Sequence, residues 1–206
     1  MRLCRTASAA MAALILPVAC GSTARPPGAA TTATVPPPPP ALVAQARPIG
    51  RGARFQPPAT GAVVGACSRR LGPREGVHVE VFAANRVVLV PAGIGTRPPR
   101  RSSEGRISSA RCYGALVTLD PTGLVLVQPG SRLLLADLFK AWGERLSTRR
   151  LASFSASIGA RVAVFVNGRR WRETPGQVPL ARHAEIVLEV GPYVPPHRSY
   201  TFPPGT

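Results

Sequence analysis

The sequence predicts an α+β domain, made mainly of antiparallel β-hairpins with one helix packed on the sheet. Three observations lead there. Apolar runs recur in pairs around turn signals: VHVEVF (77–82) with RVVLV (86–90), ALVTL with LVLVQ around DPTG (120–123), and RVAVFV with RRWR around Asn167-Gly168. One stretch alone, RLLLADLFKAWGERL (132–146), changes to helical spacing through Leu135, Leu138, Phe139, Trp142 and Leu146. EIVLEVG (185–191) supplies one more strand.

In chain order, the first hairpin spans 77–90 and turns at 83–85. PAGIG (91–95) ends it, and TRPPRRSSEGR (96–106) reads as a polar, proline-bearing loop. The second hairpin turns on Pro121 and Gly123. Its arms are almost wholly apolar, which predicts that at least one is buried on both faces. A short strand then precedes a helix over about residues 136–146, in which Gly143 weakens the last turn. The tail PYVPPHRSYTFPPGT is aromatic and proline-rich and is expected to lie extended on the surface. Val79-x-Val81-Phe82 recurs as Val162-x-Val164-Phe165, which raises two related ββ units as one reading. The ordinary likeness of two amphipathic hairpins is the other.

The N-terminus reads as an address. Arg2 and Arg5 precede an uncharged apolar run from Ala7 to Ala19. That run is shorter than the roughly 20 apolar residues a bilayer span needs, and residues 1–19 fit an export signal. Leu16-Pro17-Val18-Ala19-Cys20 resembles a bacterial lipobox, which implies cleavage before Cys20 and a lipid on it. Pro17 stands where a leucine is usual. The alternative is cleavage at a small-residue site such as Ser22-Thr23-Ala24, giving a secreted protein. Residues 20–62, with TTATVPPPPP and ARFQPPATG, read as a disordered Pro/Ala/Thr-rich tether. The expected domain is 63–206, held on the outer face of the cell membrane.

Cysteine usage agrees with export. Of Cys4, Cys20, Cys67 and Cys112, the first leaves with the signal and the second takes the lipid. Cys67 and Cys112 remain as a disulfide pair for an oxidising compartment, or as two separate buried thiols. The formal charge is +17, and the 26 basic residues include one lysine, Lys140. Removing the signal takes away Arg2 and Arg5, so +17 − 2 leaves +15. Arginines this dispersed argue against nucleic acid as partner. They suit attraction to an anionic membrane or wall polymer.

Chemistry is sparse. His78, His183 and His197 are the three histidines, and no two have a metal-ligand spacing. Phosphate-loop and nucleophile-elbow motifs are absent. Asp120 opens DPTG as a turn acceptor that bonds its own backbone two residues on. His78 reads as a sheet-face histidine.

The stretches HVEVF…VPAGIG, CYGALVTLDPTGLVLVQ, LFKAWGERL, VFVNG, HAEIVLEVG and YTFPPG resemble a family of exported or lipid-anchored proteins of high-GC Gram-positive bacteria. Its members carry His-x-His-x-His on the first strand, His-Thr-His-Asp before the hairpin turn, and a histidine after it. The resemblance implies a transition-metal site on adjacent strands. In this chain His78 matches the last histidine of the first run, and Gly76 the one two before it. Val117, Thr118, Leu119 and Asp120 match the second cluster, Leu126 the later histidine, and Gln128 a glutamate. Cys67 and Cys112 fall at the family's cysteines. The implied site is thus mostly lost.

The leading expectation is a non-enzymatic envelope protein with a binding or structural domain and no cofactor. Its partner would be an envelope protein or an anionic wall polymer, met by the apolar hairpin and the aromatic tail if these are not core. The alternative is a metal-binding protein using a relocated site of His78, Asp120 and His183, with His197 as a further ligand.

Overall fold

The computed structural model describes residues 40, 43 and 46–206. The signal segment, Cys20 and most of the tether lie outside the described residues. Among the described residues, no helix is long and apolar enough to cross a membrane.

The chain is mostly β, which corrects the α+β expectation. Its strands are β1 (Glu75–Ala83), β2 (Arg86–Val87), β3 (Thr96–Ser103), β4 (Arg106–Tyr113), β5 (Leu116–Val117) and β6 (Leu124–Val127). After the single described α-helix, α1 (Leu135–Trp142), come β7 (Arg150–Leu151), β8 (Phe154–Ser155), β9 (Ala163–Val166), β10 (Arg169–Arg170) and β11 (Glu185–Val190). The expected polar loop at 96–106 is the first arm of the hairpin β3–β4. Pro98 and Pro99 sit in it at a register shift between Arg97 and Arg100. A two-stranded ribbon is all edge, so it tolerates residues that cannot donate.

The central sheet runs β10-β9-β11-β1-β6-β5, with β2 also on β1. It is mixed rather than antiparallel: β1 and β11 are parallel, with His78 beside Glu185 and Val81 beside Leu188. These strands lie at the two ends of the domain sequence, so no hairpin can join them, and the intervening chain crosses over through α1. The hairpins β1–β2 and β9–β10 flank β11 on opposite sides, one parallel and one antiparallel to it. The two echoing segments are therefore not equivalent in the sheet.

Residue alternation separates two faces. Val77, Val79, Val81, Ile186 and Leu188 join Leu135, Leu138, Phe139 and Trp142 of α1 in the main core. The helix is shorter than its apolar pattern suggested because Gly143, at φ 91°, ends it in the left-handed conformation. The apolar hairpin is core, not a partner-facing surface: Leu116, Val117, Leu119 and residues 124–127 are all buried. Thr118, fully buried, donates its hydroxyl to the Pro91 carbonyl at 2.6 Å and accepts from the Ile94 N–H.

Two fastenings extend the unit toward the N-terminus. Cys67 and Cys112 form a disulfide with Cα atoms 5.4 Å apart. Ahead of it, residues 48–61 pack on the domain although they lack periodicity. Ile49 bridges Val87, the Leu89 N–H reaches the Phe55 carbonyl, and the Thr60 and Gly61 N–H groups satisfy the Trp142 carbonyl. The end of the expected tether thus supplies partners to an open strand edge and a helix terminus.

Candidate functional site

The second face of the sheet carries charge. His78 and Glu80 alternate with the core valines of β1, and Glu185 and Glu189 alternate with Ile186 and Leu188 of β11. His78, Glu185 and Glu189 are buried, at 5%, 1% and 3% exposure. Buried charge is costly unless paired, so the position of each group is informative.

Two turns place the His78–Glu185 pair. At Asn167-Gly168 both residues have positive φ, 50° and 74°, as a tight hairpin requires. The Asn167 Oδ1 then accepts the Glu185 N–H at 2.9 Å. At DPTG, Gly123 has φ 82°, and a Cβ there would lie 2.5 Å from the Val79 carbonyl oxygen. Only glycine lets this turn close on β1. The closure brings the Thr122 carbonyl 2.9 Å from His78 Nε2. On the other side, His78 Nδ1 lies 2.7 Å from Glu185 Oε2.

Both ring nitrogens therefore face acceptors. Burial alone lowers the His78 pKa, but the Glu185 carboxylate, the Thr122 carbonyl and the charge of Glu80 together outweigh it, and the net shift is upward. Burial raises the pKa of Glu185 against the opposing pull of His78. The pair holds a proton between Nδ1 and Oε2. Glu185 Oε1 has no hydrogen-bond partner at all.

Glu80 completes a cluster. One ligand atom each from His78, Glu80 and Glu185 lie within 4.8 Å of one another, and this is the one such His/Cys/Asp/Glu group among the described residues. A cavity of about 110 Å³ reaches His78 and Glu80. It opens on the side of β1 away from β11, in the gap between the ladder with β6, which ends at His78, and the ladder with β2, which begins at Phe82. Thr122 and Gly123 form one wall and Val87 and Val88 another.

The C-terminal tail lies over this face. The His197 Nδ1–H donates to both Glu80 oxygens, at 2.8 and 2.9 Å. Tyr200 stacks on His78 with ring centroids 3.8 Å apart and planes 8° from parallel. Phe202 stacks on His183 at 4.6 Å, and His183 Nε2–H donates to the Thr206 carbonyl at 2.6 Å. Gly76, where the family resemblance implies a histidine, makes room for the tail: a Cβ there would lie 2.8 Å from Phe202. His78 and His183 thus meet the tail, and His197 belongs to it.

The structure divides the expected ligand set. His78 belongs to the cluster, but Asp120 and His183 do not. Asp120 is a turn residue that accepts from Arg106 at 2.6 Å and from the Thr122 hydroxyl, rather than from its own backbone. His183 anchors the chain end. Glu80 and Glu185 were missed, although each is an acid on a strand of mostly apolar residues, the available signal. Glu189 stands apart: its Oε2 accepts the Val194 N–H at 3.4 Å, its Oε1 has no partner, and burial pushes its pKa up to about 7.

No family model matches the chain, and neither does a curated protein or a solved structure. The functional reading rests on the geometry of this site.

Proposed function

We propose that the protein is an exported, tethered, non-catalytic domain that binds one divalent transition-metal cation at His78, Glu80 and Glu185. The observation that carries the reading is the buried, unpartnered Glu185 Oε1 beside the His78 imidazole. A carboxylate oxygen deprived of water and of any donor is an acceptor awaiting a cation. The ring is already held as a ligand's ring should be. Its Nε2–H is committed to a backbone carbonyl, which fixes the tautomer and leaves Nδ1 for the metal.

One imidazole nitrogen and two carboxylates suit zinc or another first-row divalent ion. A cation entering the cluster takes the place of the proton shared by His78 and Glu185, and two carboxylates then neutralise its charge. Three protein ligands leave a coordination position for water.

The test is a titration of the full exported chain, purified without chelator and followed by native mass spectrometry. One zinc per chain is expected, with affinity reduced at least about 100-fold in Glu80→Gln. Glu80 is the most exposed of the three ligands, so that variant leaves the buried pair in place. No zinc held at micromolar supply overturns the reading. For the address, a lipid on Cys20 predicts a membrane-fraction chain starting at Cys20 and heavier by its acyl groups. An unmodified chain starting after Ala24 overturns the anchor.

A further inference from the structure

We infer that the C-terminal tail is part of the cation site, so that cation occupancy and docking of the tail are coupled. The inference rests on the cation-binding reading above. It starts from which residues the tail contributes and where they land. His197 holds the third ligand, donating one N–H to both oxygens of Glu80. A metal-binding carboxylate needs such an outer partner to fix its orientation. Three residues further on, Tyr200 covers the His78 ring face to face, and its own ring meets Phe202 edge-on at 5.0 Å.

The rest of the tail adds apolar closure. Val194, buried to 1% exposure, packs with Phe82, Phe165 and Val187. Tyr200 and Phe202 pack against the cluster of Leu119, Leu124 and Leu126. Beneath this strap the cluster ligands sit among the apolar Phe82, Phe165, Val187, Leu119, Leu124 and Leu126, so lifting it exposes apolar surface and hydrates the ligands together. The tail forms no strand and is held by side chains. Such a segment opens locally at lower cost than the sheet beneath it. It is therefore the natural gate of the site.

In this arrangement His197 is a positioning residue for Glu80, and Tyr200 is the lid on His78. Thermodynamic linkage makes the effect reciprocal: whatever factor the docked tail adds to cation affinity, the cation adds to docking of the tail. The cation is thus a clasp for the last fifteen residues, 192–206.

Hydrogen exchange of the full chain, with and without zinc, tests this together with zinc affinities of tail variants. Zinc is expected to slow amide exchange at residues 194–202. His197→Ala is expected to weaken zinc binding about 10–100-fold and to abolish that slowing. His197→Asn keeps a side-chain N–H that can reach Glu80, and is expected to restore most of the affinity; a residue that merely filled space would not be rescued this way. If the wild-type chain binds zinc while His197→Ala binds it equally well and tail exchange is unchanged, the coupling is overturned and the cation site stands. If the wild-type chain binds no zinc, both are overturned.

Discussion

On the helix side of the seven-stranded sheet, β1 and β11 present Val77, Val79, Val81, Ile186, Leu188 and Val190 to α1. On the tail side the same two strands present His78, Glu80, Glu185 and Glu189. The strands, their register and their burial are shared, so the difference lies in what the side chains are for. Apolar residues of similar volume in place of a buried ion pair are often neutral or stabilising. The helix side has that solution and the tail side does not. The tail side carries two carboxylate oxygens without partners, one on Glu185 and one on Glu189. The comparison teaches that the helix side supplies the stability and the tail side spends some of it on a site.

The largest expected effect breaks the helix side. Trp142 is fully buried in the core, its ring tilted against that of Phe139, and its carbonyl accepts the Thr60 and Gly61 N–H groups. Trp142→Ala should cost about 3–5 kcal/mol in a denaturant unfolding experiment. Next, replacing Cys67 and Cys112 together by serine opens a loop with a sequence separation of 45. It should cost about 2–4 kcal/mol by the same measurement.

The third effect has the opposite sign and belongs to the tail side. Burial raises the Glu189 pKa from its ordinary 4.5 to about 7. Between those values the folded chain holds a proton that the unfolded chain has released. The stabilisation from protonated Glu189 is complete below about pH 4.5 and is lost as pH rises through about 7. Glu189→Gln should remove that slope and raise stability at pH 8 by roughly 1–3 kcal/mol, read from urea midpoints at pH 5 and 8.

The smallest effect separates a turn from a site. Asp120 pairs with Arg106, whose side chain is 56% exposed, and exposed pairs contribute about 0–1 kcal/mol. Asp120→Asn should change stability within that range and leave zinc affinity unaltered.

The helix and the two tight turns were legible in the sequence because they follow local rules. Helical spacing over 135–142, Asn-Gly at 167–168 and DPTG at 120–123 each announce their element within a few residues. The disulfide was legible from the cysteine count. The hairpin β3–β4 was missed because Pro98, Pro99 and a run of arginines and serines hide a strand that buries little. The parallel pairing of β1 with β11 was also missed, since periodicity says nothing about which distant strands become neighbours. The same gap hid most of the site. His78 could be singled out, but Glu185 reaches it only through that long-range pairing, at a separation of 107 residues. Asp120 and His183 drew attention by residue type, while the fold assigned them to a turn and to the chain end.

The most direct test of the central claim, that the tail side of the sheet is a cation site, is thermal unfolding with and without zinc. Saturation at about 100 times the dissociation constant stabilises a folded protein by about 2.7 kcal/mol. The account predicts a clear upward shift in Tm for the wild-type chain and for Asp120→Asn, and none for Glu80→Gln. An unshifted wild-type Tm, or an equal shift in Glu80→Gln, would contradict it.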